Sequence, residues 1–197
     1  MEMLLRDVTI TELAGIYRKH ARRSPAPYLI DPKVATRARR LARKNGIWED
    51  LSENLDPDRV IPILKGSDFR RLRSTKDRRL THMTGRGTEL SRAALALWLN
   101  HPNADVDYLQ DLLWAYCEDT TWVHGVHDQN AIDLNASGMA ATIAEIAYAL
   151  GDRLEDAVKD RIAEEIERRI FVPFSDYRNM DAWRTVRNNW NHVCNGQ

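Results

Sequence analysis

The sequence predicts an all-α fold, and three observations carry that expectation. Apolar residues recur at a 3.6-residue period along the 197-residue chain, and no stretch alternates apolar and polar residues for long. Capping and stop signals recur at the intervals that helix–short loop–helix units require. Strongly apolar and amphipathic helices follow one another, the inner–outer order of an α/α toroid. A compact bundle with one central helix gives the same order, so periodicity alone leaves both open. With 43% hydrophobic and 29% charged residues and length enough for one sizeable core, residues 1–197 are expected to form a single helical domain.

Each element has a local reason. Thr9-Ile10-Thr11-Glu12 is a capping box that opens a helix running toward Arg23, and Ser24-Pro25-Ala26-Pro27 breaks it. Asp31-Pro32 places an N-cap and an N1 proline before Val34, Ala38, Leu41 and Ala42, and Asn45-Gly46 ends that helix. Asp56-Pro57 repeats the device and predicts a shorter helix through Lys65. Residues 66–87, rich in Arg and Thr, are the least regular part and are expected to contain a loop. From Thr88 the pattern strengthens: Leu90, Ala93, Ala94, Leu97 and Trp98 share one face, closed by Asn100-His101-Pro102-Asn103. Asp105 or Asp107 caps the next helix, with Leu109, Leu112, Leu113 and Tyr116 as its buried stripe. A polar, aromatic loop spans Asp119 to Asn130. Asp133-Leu134-Asn135 then opens the apolar helix Ala136–Leu150, whose one charge is Glu145 and which should be sandwiched. A last helix from about Arg153 to Arg169 carries Leu154, Val158, Ile162 and Ile166 on one face and should lie outside.

Net charge is zero, but its distribution is uneven. Between Arg18 and Arg86 stand 19 Lys+Arg against 8 Asp+Glu, and elsewhere 10 against 21. A basic half suits an anionic partner, polysaccharide or nucleic acid, or else the two halves neutralise each other across an interface. The Arg70-Arg71-x-Arg73 and Arg78-Arg79 clusters read most simply as a solvated face. No helix-turn-helix or RNA-binding signature supports nucleic acid. The two cysteines, Cys117 and Cys194, lie far apart without CxxC spacing, so neither a disulfide framework nor a zinc site is signalled. The start Met1-Glu2-Met3-Leu4-Leu5-Arg6-Asp7 lacks a secretion signal, and no stretch approaches the roughly 18 apolar residues of a membrane span. A cytoplasmic location is therefore expected, or a periplasmic or secreted one if a leader has been removed.

The most informative segment is Arg187-Asn188-Asn189-Trp190-Asn191-His192-Val193-Cys194-Asn195-Gly196. Four amides, an indole, an imidazole and a thiol crowd together there. Burying an unpartnered amide costs about 1–3 kcal/mol, so the cluster reads as a polar pocket wall. Alternatively, the Asn side chains cap and cross-link turns around a core Trp190. His124 and His127 stand three apart beside Asp128, a helix-compatible metal spacing, but no third ligand is in sight and a hydrogen-bonding pair is the simpler reading. Neither metal nor cofactor is expected. Trp122 suits either sugar stacking or the core of its own loop.

The run Asn188-Asn189-Trp190-Asn191 with Val193-Cys194 resembles the signature of heparinase II/III-like polysaccharide lyases. Thr121-Trp122-Val123-His124-Gly125-Val126-His127-Asp128, and Ile132-Asp133-Leu134 leading into an Ala-rich helix, look like the segment before that helix in the family. The likeness covers about residues 86–196, over which the helical hairpins look family-like. Residues 1–85 form a weakly matched basic region.

The resemblance implies an incomplete α/α toroid, the N-terminal part of a lyase that cleaves acidic polysaccharides by β-elimination. In that reaction the uronate carboxylate is neutralised by amide or imidazole donors, a base removes the adjacent proton, and an acid protonates the leaving glycosidic oxygen. Asn191 and His192 look like the family's neutralising Asn-His pair, with Asn188 or Asn189 as the alternative amide. Asn188, Asn189, Trp190, Trp122, His124 and His127 are then candidates for substrate binding. The family's catalytic Tyr and second His lie downstream of this run, whereas all six Tyr here lie upstream. The chain alone is expected to bind and not to cleave. An apolar face left open would also favour self-association, or a closed bundle in which the C-terminal segment folds back over it. The competing reading is a non-catalytic helical module that binds a polyanion through Arg18–Arg86.

Overall fold

A computed structural model describes residue 19, residues 27–74, 85–123 and 132–175, and residue 194. Every regular element among them is helical: α1 (Pro27–Ile30), α2 (Pro32–Lys44), α3 (Ile47–Asn54), α4 (Gly66–Ser74), α5 (Arg86–Leu99), α6 (Val106–Cys117), α7 (Leu134–Leu150), α8 (Asp156–Ile166) and α9 (Val172–Ser175). A 3₁₀ turn (Gly151–Arg153) joins α7 to α8, and a π-turn (Glu167–Phe171) joins α8 to α9. The helix expected from Thr9 to Arg23 falls outside the described residues apart from Lys19.

Three aspartates start helices as their spacing predicts. Asp31 accepts from Lys33 N at 2.8 Å, Asp105 from Tyr108 N at 2.8 Å, and Asp133 from Ala136 N at 2.8 Å. Asp105, not Asp107, is therefore the cap of α6, and each such bond contributes about 1 kcal/mol.

One local expectation fails. Asp56-Pro57 starts a single turn, with Asp58 N donating to Asp56 Oδ1 at 3.1 Å and Arg59 N to Asp56 O at 3.2 Å. The chain then runs without helix to Lys65. Val60 and Ile61 are β-branched, and Pro62 disfavours the α region at Ile61, so the turn cannot propagate. Within the stretch 66–87, residues 66–74 form α4, where Asp68 accepts from Lys65 N at 2.8 Å, and residues 75–84, where the expected loop would fall, lie outside the described residues. Helix α3 was not foreseen. Gly46, at φ 73°, ends α2 and opens α3 in one residue, a conformation that suits glycine.

The helices α5 and α6 pair, as do α7 and α8. The two hairpins lie side by side, α5 packing on α7 and α6 on α8. Helix α2 extends the first row by packing on α5, and α1 rests on α7. Leu90, Leu97, Leu99, Leu109, Leu112, Leu113 and Ile143 fill the interior at 2% exposure or less. Each contributes about 1.5–3 kcal/mol by leaving water. The expectation for α7 needs correction. Ala136, Ser137, Ala140, Ile143 and Leu150 are buried, but Ala141, Thr142, Ala144 and Glu145 face water. Helix α7 is covered on one side, and the small size of its outward residues keeps the exposed apolar area low. Helix α8 presents Asp156, Asp160 and Glu164 outward, as expected.

Candidate functional site

Of the buried polar groups among the described residues, Arg86, Asp119 and Glu165 gather where the start of α5, the end of α6 and the end of α8 meet. Arg86 is 2% exposed and pairs with Asp119, 7% exposed, while its guanidinium carbon lies 4.2 Å from the centre of the Tyr116 ring. Burial pushes the Asp119 carboxyl above its usual range, and Arg86 and Arg169 offset this only in part. Burial also raises the Tyr116 hydroxyl, against the pull of Arg86.

A second cluster adjoins it. Glu165, 3% exposed, receives hydrogen bonds from Arg168 and Arg169 and an ion pair from Arg161 at 3.1 Å. Burial pushes Glu165 up, but the Arg168 and Arg169 hydrogen bonds overcome it and hold the carboxyl below its usual range. Arg169 also donates to Cys117 O at 3.1 Å and Asp119 O at 2.6 Å, closing the C-terminus of α6.

This cluster settles the position of Trp122. Its ring is 3% exposed, its indole N–H donates to Tyr116 O at 2.8 Å, and the Arg169 guanidinium carbon stands 4.7 Å from its centre. Trp122 thus packs into the main core beside Tyr116 and beneath Arg169, which leaves no ring face open to a sugar. Asn135 Nδ2 donates to Trp122 O at 2.7 Å and ties the loop to α7. The remaining candidates, His124, His127, Asn188, Asn189, Trp190, Asn191 and His192, lie outside the described residues. Cys194 is described and is buried at 2% exposure. Burial pushes the Cys117 thiol up to about 11. Among the described residues no three metal-ligating side chains gather, and no helix is long and apolar enough to cross a membrane.

An open groove of about 570 Å³ runs between residues 57–63 and the outer side of α6. Val60, Ile63 and Trp114 line it at 87%, 71% and 41% exposure. Asp105, Asp107, Asp111 and Glu118 add carboxylates to the same lining. The wall is anchored from within. Arg59 pairs with the buried Glu89 at 2.9 Å, Tyr108 donates to the same carboxylate at 3.4 Å, and Arg86 donates to Pro62 O at 3.3 Å. Burial, reinforced by Glu89, raises the Tyr108 hydroxyl. Carboxylates repel a uronate, so this groove has the wrong sign for an acidic glycan.

The basic half of the sequence appears on α2. Lys33, Arg37, Arg40 and Lys44 are exposed there at i, i+4, i+7 and i+11, one face of a helix.

The buried Arg86, Asp119 and Glu165, with the half-buried Arg169, were not foreseen as a group. Their signal was a charge standing on an apolar stripe: Arg86 heads Leu90, Ala93 and Leu97, and Glu165 and Arg169 continue Val158 and Ile162.

Comparison with known proteins gives no match: no family model, no curated protein and no solved structure matches the chain.

Proposed function

We propose that the chain is the N-terminal α/α-hairpin portion of a heparinase II/III-like polysaccharide lyase and binds a uronate-containing polysaccharide along residues 188–195. The observation that carries this reading is the order of the hairpins before that segment. Helices α5 and α7 form one row, α6 and α8 the other, and hairpins stacked in two rows are the building unit of an α/α toroid. An up-and-down bundle with chain-order neighbours would instead pair α6 with α7. Buried Cys194 adds support, since a pocket wall needs an anchor in the body of the protein.

In this reading Asn191 and His192 donate hydrogen bonds to the uronate carboxylate, lowering the charge that opposes loss of the adjacent proton. Proton removal and leaving-group protonation fall to groups beyond these residues. The test is a titration with alginate, heparin and hyaluronan oligosaccharides, read by tryptophan fluorescence and by absorbance of an unsaturated product. Binding that Asn191→Ala weakens about tenfold, with no ultraviolet-absorbing product, is the expected result. Robust turnover by this chain would overturn the assignment of roles.

The exposed row Lys33, Arg37, Arg40 and Lys44 favours a second reading, a polyanion-binding helical module. There Arg40→Glu abolishes binding and Asn191→Ala leaves it unchanged.

A further inference from the structure

Two faces of this molecule match each other. On α6, Asp107, Asp111, Trp114 and Glu118 are exposed at i, i+4, i+7 and i+11. On α2, Lys33, Arg37, Arg40 and Lys44 are exposed with the same spacing. Each row spans about 16 Å at 1.5 Å per residue. One is acidic with an aromatic ring at its third position; the other is basic throughout.

The match extends to apolar surface. Beside the acidic row lie Val60 and Ile63, and the groove of about 570 Å³ opens between them and Trp114. Beside the basic row stands Leu41, 45% exposed, flanked by Arg37, Arg40 and Lys44 on the same side of α2. The helix α2 packs on α1, α3 and α5 through other residues, among them the half-buried Ala38 and the buried Ala42, so its basic face is presented outward. The groove is preformed, because Arg59 is tied to Glu89 and Pro62 to Arg86.

We propose that the groove along α6 is a self-association surface whose occupant is the basic face of α2 from a second copy of this chain. Leu41 enters the groove beside Val60 and Ile63. In parallel register Lys33, Arg37 and Lys44 meet Asp107, Asp111 and Glu118, and Arg40 lies over the Trp114 ring, a favourable cation–π arrangement. Glu118 already pairs with Arg161 at 3.3 Å, so Asp107 and Asp111 carry most of the new attraction. The chain's zero net charge removes the long-range repulsion that would oppose contact between copies. Acidic and basic faces lie on different helices, so a two-fold pairing closes as a dimer that uses both, whereas a head-to-tail contact leaves one of each open at the ends of a growing chain. Exposed ion pairs are individually weak, so the association is weak and salt-sensitive.

The experiment is sedimentation velocity over a concentration series from about 0.01 M to about 1 M salt, where the screening length falls from about 30 Å to about 3 Å. Dimers or larger oligomers at low salt that dissociate at high salt are expected. Asp107→Lys with Asp111→Lys, and separately Arg37→Glu with Arg40→Glu, should each weaken association at least about tenfold. Both pairs of changes are on exposed positions, and circular dichroism checks that the helices persist. Mixing the two variants restores complementary faces and should restore association. A strict monomer at low salt, association that neither variant alters, or failure of the mixture to recover each overturns the proposal. Binding of a foreign Lys/Arg-rich peptide to the groove without self-association overturns it in favour of a heterologous basic partner.

Discussion

Arg169 reaches from the π-turn to the end of α6 and brings its guanidinium carbon to 4.7 Å from the centre of the Trp122 ring. Through this contact the last turn of the α7–α8 hairpin holds the loop that leaves the α5–α6 hairpin. One side chain joins the helix terminus, the buried Glu165 and the aromatic loop.

Arg169→Ala should therefore destabilise the protein by about 2–4 kcal/mol, since it leaves the Cys117 and Asp119 carbonyls and part of the Glu165 charge without donors. Urea unfolding gives the magnitude, and the native tryptophan emission should shift as the Trp122 ring loses its cover. Arg169→Lys should recover only a minor part, because an ammonium lacks the planar fork that reaches three acceptors. A loss under about 0.5 kcal/mol for the alanine variant would show that the cluster is not structural.

His101 makes stability depend on pH. Its ring is 4% exposed and lies 4.4 Å from the Trp48 ring. Nδ1 accepts from Asn103 N at 3.1 Å, so the proton sits on Nε2, 3.1 Å from Ser52 Oγ. Burial lowers its pKa, with Arg43 adding to the effect. The unfolded state, titrating near about 6.5, then binds more protons than the native state between the two values. The contribution of His101 is thus present above the unfolded value and lost as pH falls through the folded one. Unfolding free energy measured across this window should rise with pH, and His101→Gln should flatten that slope.

Cys117 and Cys194 are both buried, and the Cys117 thiol is pushed up to about 11. Thiolate is the reactive form, so a thiol-specific reagent at mildly alkaline pH should label neither cysteine in the native protein and both after denaturation. Rapid native labelling of Cys194 would place the end of the chain away from the core.

Asp105 and Asp107 stand two residues apart and should behave differently. Asp105→Ala removes the bond to Tyr108 N and should cost about 1 kcal/mol, whereas Asp107→Ala should stay within about 0.5 kcal/mol. Thermal unfolding of the two variants separates them.

Helix caps were legible because their signal is short-range: an aspartate two or three residues before a free N–H is visible as spacing. The same signal misled at Asp56, where the cap formed but Val60, Ile61 and Pro62 decided the outcome downstream. Gly46 was read as a stop alone, because one glycine that serves two helices looks the same as one that ends a helix. The side-by-side order of the hairpins was invisible, since it depends on contacts between residues far apart in sequence. At the candidate site, Trp122 could be read either way until the positions of Arg169 and Tyr116 were known. Arg86, Glu165 and Arg169 were visible as charges out of place on apolar stripes, but their partners were not.

The π-turn at residues 167–171 sets which way the short helix after it faces. Val172 N donates to Glu167 O, five residues back, which accommodates Pro173, whose ring would otherwise collide with the carbonyl of Arg169. One extra residue per turn advances the helix by about 100°. Ile166 and Ile170 pack against the core, and an unbroken α-helix would bring Phe174 next onto that side. Instead Phe174 is 47% exposed, with Phe171 and Val172 above 50%. Like a dial moved one notch, the insertion turns Phe174 off the face of Ile166 and Ile170, and deleting a single residue from this turn would bring it back onto that face.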